Sequence, residues 1–152
     1  MFLEVEHASV VYPGGGTRPA VHDVSLALPR GSLGVLIGPS GCGKTSLLRA
    51  VAGLERLHGG RIVIDGEVLA DAAAGVHVAP EARRIGMVFQ DYALFPHLSV
   101  AANVDFGIRH LGVAERRART LEVLELVGLA HAAKRAPHQL SGGQQQRIAL
   151  AR

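Results

Sequence analysis

Cysteine is nearly absent: Cys42 is the single one in 152 residues. An internal disulfide is therefore excluded, and the composition suits a reducing cytoplasm. No apolar run approaches the ~18 residues that a membrane-spanning helix needs, although 48% of the chain is hydrophobic, with Leu, Val and Ala dominant. The opening Met1-Phe2-Leu3-Glu4-Val5-Glu6 has no positive region and no cleavage-site pattern, so no signal peptide is expected. The eight histidines show no metal-ligand spacing, and with one cysteine a structural zinc site is not expected. Lysine is scarce too. The net charge of +3 rests on arginines spread along the chain, and no basic run exceeds Arg116-Arg117. That charge reads as a solvated surface with a mild pull toward anions, not as a nucleic-acid stripe. The length is enough for one domain with a real core.

Against these absences, glycine is plentiful, and one use of it is informative. Residues 35–37, Val35-Leu36-Ile37, form a short apolar run of the kind a buried strand shows. Gly38-Pro39-Ser40-Gly41-Cys42-Gly43-Lys44-Thr45 follows, matching G-x-x-x-x-G-K-[ST], the nucleotide phosphate-binding loop. A helix-forming segment, Ser46-Leu47-Leu48-Arg49-Ala50-Val51-Ala52, then runs to Gly53. The bland reading is a glycine-rich turn, but the strand–loop–helix context favours the phosphate loop. Glycines let the backbone wrap a triphosphate closely, because no Cβ blocks the approach and positive φ is cheap. Successive N–H groups and the helix N-terminus then face the anion. Lys44 reaches the β- and γ-phosphates, the Thr45 hydroxyl ligates Mg²⁺, and Ser46 offers its N–H near the α-phosphate. Cys42 reads as a small residue at a variable loop position, with a redox role as the outside alternative.

Upstream, residues 3–11 and 21–28 read as strands, with Pro13-Gly14-Gly15-Gly16 as a turn. Tyr12 is either a strand-end aromatic or a platform on which adenine stacks. Downstream, residues 59–69 contain Ile62-Val63-Ile64-Asp65, which superficially resembles a strand ending in a magnesium-binding aspartate. Asp65-Gly66 between two β-rich runs is instead a hairpin signal, so Asp65 is not assigned to magnesium. Residues 70–82 read as a loop and residues 84–89 as a buried strand ending at Gln90. Residues 92–98 are apolar and aromatic but broken by Pro96, which implies local packing or a partner-facing surface. Ser99 caps a helix to about Arg109. A second helix spans residues 115–127, with Leu121, Val123, Leu124, Leu126 and Val127 on its apolar side, a Glu115–Arg119 pair, and Gly128 at its end. Residues 130–139 read as a linker.

The last stretch is Leu140-Ser141-Gly142-Gly143-Gln144-Gln145-Gln146-Arg147. Ser141 and Gln144 make a capping box. Two glycines in a first turn are poor helix formers, yet they fit a helix start whose N–H groups lie bare against an anion.

With residues 38–45, Gln90 and residues 140–147 in that order, the chain resembles the nucleotide-binding domain of ATP-binding cassette (ABC) transporters over its whole length. The string Leu140-Ser141-Gly142-Gly143-Gln144 matches the family signature and is more specific than the phosphate loop. Residues 89–98 look like importers of the iron(III), polyamine, sulfate and molybdate type. The resemblance implies an α/β P-loop NTPase fold, C-terminally incomplete. Its parts would be an N-terminal antiparallel β-subdomain and a RecA-like core (residues 1–98), a helical subdomain (99–140) and the start of the signature helix (141–152). It implies ATP and Mg²⁺ as cofactors, with Lys44 and Gln90 catalytic and Thr45 and Gln90 at the metal. Nucleotide contacts fall to Tyr12, residues 38–46 and Ser141, Gly142, Gly143 and Gln144, the last four meeting ATP held by a second subunit, head to tail. Residues 92–98, Tyr92 to Leu98, would face the coupling helix of a membrane permease on the cytoplasmic side, with a solute-binding protein as an indirect partner and no nucleic acid.

The family pattern continues past Arg152 with an apolar strand ending Asp-Glu, a dimer-contact loop and a switch histidine. No residue in 1–152 is assigned to these roles, so the core sheet is expected to lack a central strand, with ladder groups left over. On this reading the chain is the N-terminal part of an import ATPase that by itself binds MgATP weakly and turns it over negligibly. Two other readings stay open: a non-catalytic nucleotide-binding or interaction module, and a soluble cassette ATPase acting on DNA or ribosomes.

Overall fold

The computed structural model describes residues 1–13 and 19–152. Most of the glycine turn expected after Tyr12 lies outside them. Two compact units, Met1–Met87 and Val88–Arg152, each enclose a core.

In the first unit, β1 (Leu3–Val10) lies between β2 (Val21–Leu28) and β3 (Gly59–Ile64), and β4 (Glu67–Asp71) and β5 (Val76–His77) complete an antiparallel sheet of order β2-β1-β3-β4-β5. β1 does not alternate perfectly, and the structure shows why. Val5, Ala8 and Val10 are buried, a spacing of three and then two, and the register shifts between Val5 and Ala8. His7 at φ 51° makes the bulge that resets the alternation. Asp23 on β2, at φ 49°, bulges opposite it and bonds the His7 ring at 2.7 Å. On the other side, Gly60 (φ 82°) lets β3 approach: a Cβ there would lie 2.2 Å from the Glu6 carbonyl oxygen. Asp65 (φ 53°) and Gly66 (φ 80°) form the expected tight hairpin turn, and Asp65 pairs with Arg30. Helix α1 (Lys44–Ala52) lies on β1 and β2 and buries Leu47 and Ala50 with Val5, Val10, Val21 and Ile62. It ends at Gly53, whose φ of 85° lets Gly53 and Leu54 donate to Ala50 and Arg49.

Several expectations need correction. Residues 35–37 and 84–89 are not strands. Their composition suits a strand, but a strand exists only as a ladder, and among the described residues neither segment has a ladder partner. Leu33, Val35 and Ile37 are consequently exposed, Ile37 by 91%. Residues 70–82 are not simply a loop: Ala70 and Asp71 finish β4, β5 pairs back onto it, and Pro80–Ala82 is a 3-10 turn.

The second unit is helical. Ser99 caps α2 (Val100–Val104) by accepting from the Ala102 N–H at 3.2 Å, as its position predicts, but the α-helix gives way to a 3-10 turn at Asp105–Ile108. α3 spans Val113–Leu126. Its buried side is narrower than the apolar pattern implies: Leu124 is fully buried, whereas Leu121 is 43% and Leu126 85% exposed. Glu115 does not pair with Arg119. Arg119 bonds Glu122 at 2.7 Å, and Arg116 reaches Asp105. The expected linker is packed: Ala132 and Pro137 are buried, and its residues form two 3-10 turns. α4 (Gly142–Ala151) adds Ile148 to the core of Val100, Val104, Leu124, Leu129 and Leu140.

Candidate functional site

The candidate site residues fall in both units. In the first, the phosphate loop enters α1 through Gly43 at φ 94°. Glycine is required there twice over, because a Cβ would also lie 2.1 Å from the Ala20 carbonyl oxygen. Gly41 is likewise at positive φ, 80°. No side chain caps the helix, and no acidic residue occupies its first turn. The first N–H groups of α1 therefore keep their donor capacity and the positive end of the helix dipole. Lys44 Nζ donates to the Gly38 and Pro39 carbonyls at 2.8 and 2.7 Å, so its charge sits over the loop. Cys42 Sγ lies 3.5 Å from the same nitrogen. Tyr12 packs on the core, and its hydroxyl donates to Ser46 Oγ at 3.1 Å. The fold thus brings Tyr12, Lys44, Thr45 and Ser46 to one end of α1.

The second unit holds Gln90, exposed in a turn, and the segment that follows it. Tyr92 and Ala93 are consecutive non-glycine residues at positive φ, 61° and 47°. Such a pair is strained and persists only where its surroundings hold it. Asn103 fixes the residues that follow the pair. It is fully buried, accepts from the Phe95 N–H at 2.8 Å, and donates to the carbonyls of Phe95, Leu98 and Ser99. Arg152 donates to the Ala93 carbonyl at 2.5 Å and lies over the Phe95 ring, which stacks obliquely on Phe106 at 4.4 Å. Asn103 escaped the sequence reading. The only cue was an asparagine, a weak helix former, four residues past a helix cap.

At α4 the capping box forms: Gln144 Oε1 accepts from the Ser141 N–H at 2.9 Å, and Ser141 Oγ accepts from the Gln144 N–H at 3.4 Å. The two glycines behind it are not demanded by this unit. A Cβ on Gly142 would make ordinary contact with the Tyr92 hydroxyl at 3.7 Å, and one on Gly143 would meet nothing within 4 Å. Neither glycine has positive φ.

Among the described residues no group of three or more His, Cys, Asp or Glu side chains is placed to hold a metal ion. Any divalent cation at the phosphate loop would therefore rely on Thr45, on phosphate oxygens and on water.

Comparison with known proteins identifies the family. A spermidine/putrescine import ATP-binding protein of Methylococcus capsulatus is 55% identical over 139 residues, covering 90% of this chain and 34% of that protein. An Fe(3+) ions import ATP-binding protein of Pseudomonas fluorescens is 52% identical over 143 residues, covering 93% and 40%. The chain therefore spans about a third to two-fifths of these relatives. A dimeric ATP-binding cassette in a post-hydrolysis state, bound to ADP and Pi, superposes with a TM-score of 0.83 at 32% identity, over 98% of this chain and 67% of that one. The family profile described as ABC transporter matches residues 21–152. With a bare phosphate-loop helix in one unit and a capped, glycine-fronted signature helix in the other, the chain belongs to the ABC transporter family.

Proposed function

We propose that these residues form the ATP-binding portion of an importer subunit that couples ATP binding and hydrolysis to solute uptake through a membrane permease. The observation that carries this reading is the convergence of Tyr12, Lys44, Thr45 and Ser46 on the uncapped start of α1. Adenine stacks on Tyr12. Lys44 leaves the Gly38 and Pro39 carbonyls for the β- and γ-phosphates, and Gly41 and Gly43 let the backbone donors face the anion. The Thr45 hydroxyl at the start of α1 suits Mg²⁺ held with ATP, and the ion would supply charge neutralisation at the phosphates. Ser141 and Gly143 present donors to nucleotide on a second copy. The room beside Gly143 supports that assignment.

Residues 92–98 are the permease-facing surface in this reading, shaped by Asn103. The subunit then lies against the cytoplasmic face of a membrane, and among the described residues no helix is long and apolar enough to cross one. The names of the relatives point to iron(III) or a polyamine as the transported solute. Residues 1–152 include no assigned general base, so they are expected to bind MgATP without sustained turnover.

The test is nucleotide affinity. Lys44→Ala should weaken ATP binding by about tenfold or more, since a charge-assisted contact is worth roughly 1.5–3 kcal/mol. Equal affinity in the two proteins would overturn the phosphate-loop assignment. Rapid, Lys44-dependent hydrolysis by residues 1–152 alone would overturn the statement on turnover. A non-catalytic module would show ATP binding but no hydrolysis even at full length.

A further inference from the structure

Arg83 is a charge that the proposed chemistry does not use. Its side chain is only 5% exposed. No carboxylate lies within ion-pair distance of it among the described residues. A buried guanidinium without an acid is costly unless its donors are satisfied. Here backbone oxygens satisfy them. Nε donates to Val78 at 2.8 Å, Nη1 to Ala50 and Val51 at 2.9 Å each, and Nη2 to Leu69 at 3.1 Å. Nη2 also lies 3.5 Å from His77 Nδ1.

The choice of carbonyls matters. Ala50 and Val51 belong to the last turn of α1, where carbonyls carry the negative end of the dipole, and the Ala50 oxygen accepts from both Gly53 N–H and Arg83. Leu69 is on β4, and Val78 directly follows β5. One planar fork therefore ties the carboxyl end of α1 to the far edge of the sheet. Gly53 makes room for it, since a Cβ there would lie 2.5 Å from Nε. The other end of this nine-residue helix begins at Lys44. A helix that short, roughly 13 Å, has little bend between its ends.

We propose that Arg83 is a positioning residue for the phosphate loop. By clamping the carboxyl end of α1, it sets the axis along which Lys44 and the bare N–H groups meet the β- and γ-phosphates. The inference rests on the phosphate-loop reading above. Its consequence is specific: loosening the clamp should degrade recognition of the distal phosphates while leaving adenine stacking on Tyr12 untouched.

The experiment measures ATP and AMP affinity by competition against a fluorescent ATP analogue, using the full-length protein at a temperature where each variant is folded by circular dichroism. Arg83→Gln should lower the ATP-to-AMP affinity ratio about tenfold, the size expected for losing one to two hydrogen bonds' worth of alignment. AMP affinity should stay unchanged. Arg83→Lys keeps the charge but not the fork, and should recover part of the ratio. A purely structural role would reduce the folded fraction and weaken both nucleotides alike. An unchanged ratio in folded Arg83→Gln overturns the proposal. If Arg83→Gln does not fold, Arg83→Met, which keeps the aliphatic stem but none of the donors, carries the test with the same two outcomes. A wild-type protein with no preference for ATP over AMP overturns the phosphate-loop reading and this inference with it. A wild-type preference that Arg83→Gln leaves intact overturns this inference alone.

Discussion

At the scale of single residues, the first unit contains two buried or half-buried basic groups in contact. Burial lowers the pKa of the His77 ring below its usual value, and the charges of Arg56 and Arg83 lower it further. A histidine with a depressed folded pKa is held neutral by the fold, while the unfolded chain binds a proton more readily. Its contribution to stability is therefore complete above the ordinary value of 6.5 and is lost as pH falls below it. The unfolding midpoint of the first unit in denaturant should decrease as pH drops from 7 toward 5, and His77→Gln should flatten that decrease. An identical slope in wild type and variant would show that other groups carry the acid sensitivity. Arg83 also corrects a sequence-level assumption. Arginines spread along a chain read as solvated charge, yet this one is buried, and nothing in its immediate neighbours Ala82 and Arg84 signals that. Its partners at Ala50 and Val51 are 33 and 32 residues away, so only the folded chain reveals them.

At the scale of elements, the β-sheet depends on two bulges and one glycine working together. His7 bulges toward its neighbours, and Gly60 is the residue that tolerates the approach. Gly60→Ala places a methyl 2.2 Å from the Glu6 carbonyl oxygen and 2.3 Å from that of His7, on a backbone at φ 82°. Both contacts are rigid backbone. The substitution should cost about 2–4 kcal/mol of stability in denaturant unfolding, with the β1–β3 amides losing hydrogen-exchange protection first. A cost under about 0.5 kcal/mol would mean the bulge relaxes freely. Elements set by local chemistry were legible from the chain: the Asp65-Gly66 turn, the Ser99 cap, the Ser141–Gln144 box and the glycine loop before α1. Each is decided within eight residues. Residues 35–37 and 84–89 suit a strand but form none, because strand formation depends on a ladder partner distant in sequence. The exposed face of α3 was misread for a similar reason: apolar character marks which residues can be buried, and tertiary neighbours select Leu124 but not Leu126.

At the scale of the whole chain, the candidate site residues divide between two compact units. Tyr12 and the phosphate loop are in Met1–Met87, and Gln90, residues 92–98 and the signature helix are in Val88–Arg152. The stretch from Arg84 to Ala93 contains no strand or helix, and Arg84 is exposed at φ 54°. Limited trypsin digestion of residues 1–152 should therefore cut after Arg84 early, because proteases need several residues of exposed, unpaired chain. The carboxyl-terminal product should keep helical circular dichroism, since its core of Val100, Leu124, Leu129 and Ile148 is drawn from residues after the cut. First cuts within α3 or α4 would contradict this division.

The sequence by itself determined the chemistry on offer: a glycine loop with Lys44 and Thr45, a capped helix start with two spare glycines, and a proline-broken aromatic segment. These are local patterns, in which residues a few positions apart decide backbone conformation and donor geometry. Only the tertiary structure decided which groups meet. It placed the Tyr12 hydroxyl on Ser46 across 34 residues, wrapped residues 95–99 around the Asn103 amide, and buried Arg83 against the end of α1. Those pairings arise because a buried polar group must find a partner wherever the packed core places one, and that location depends on the fold as a whole.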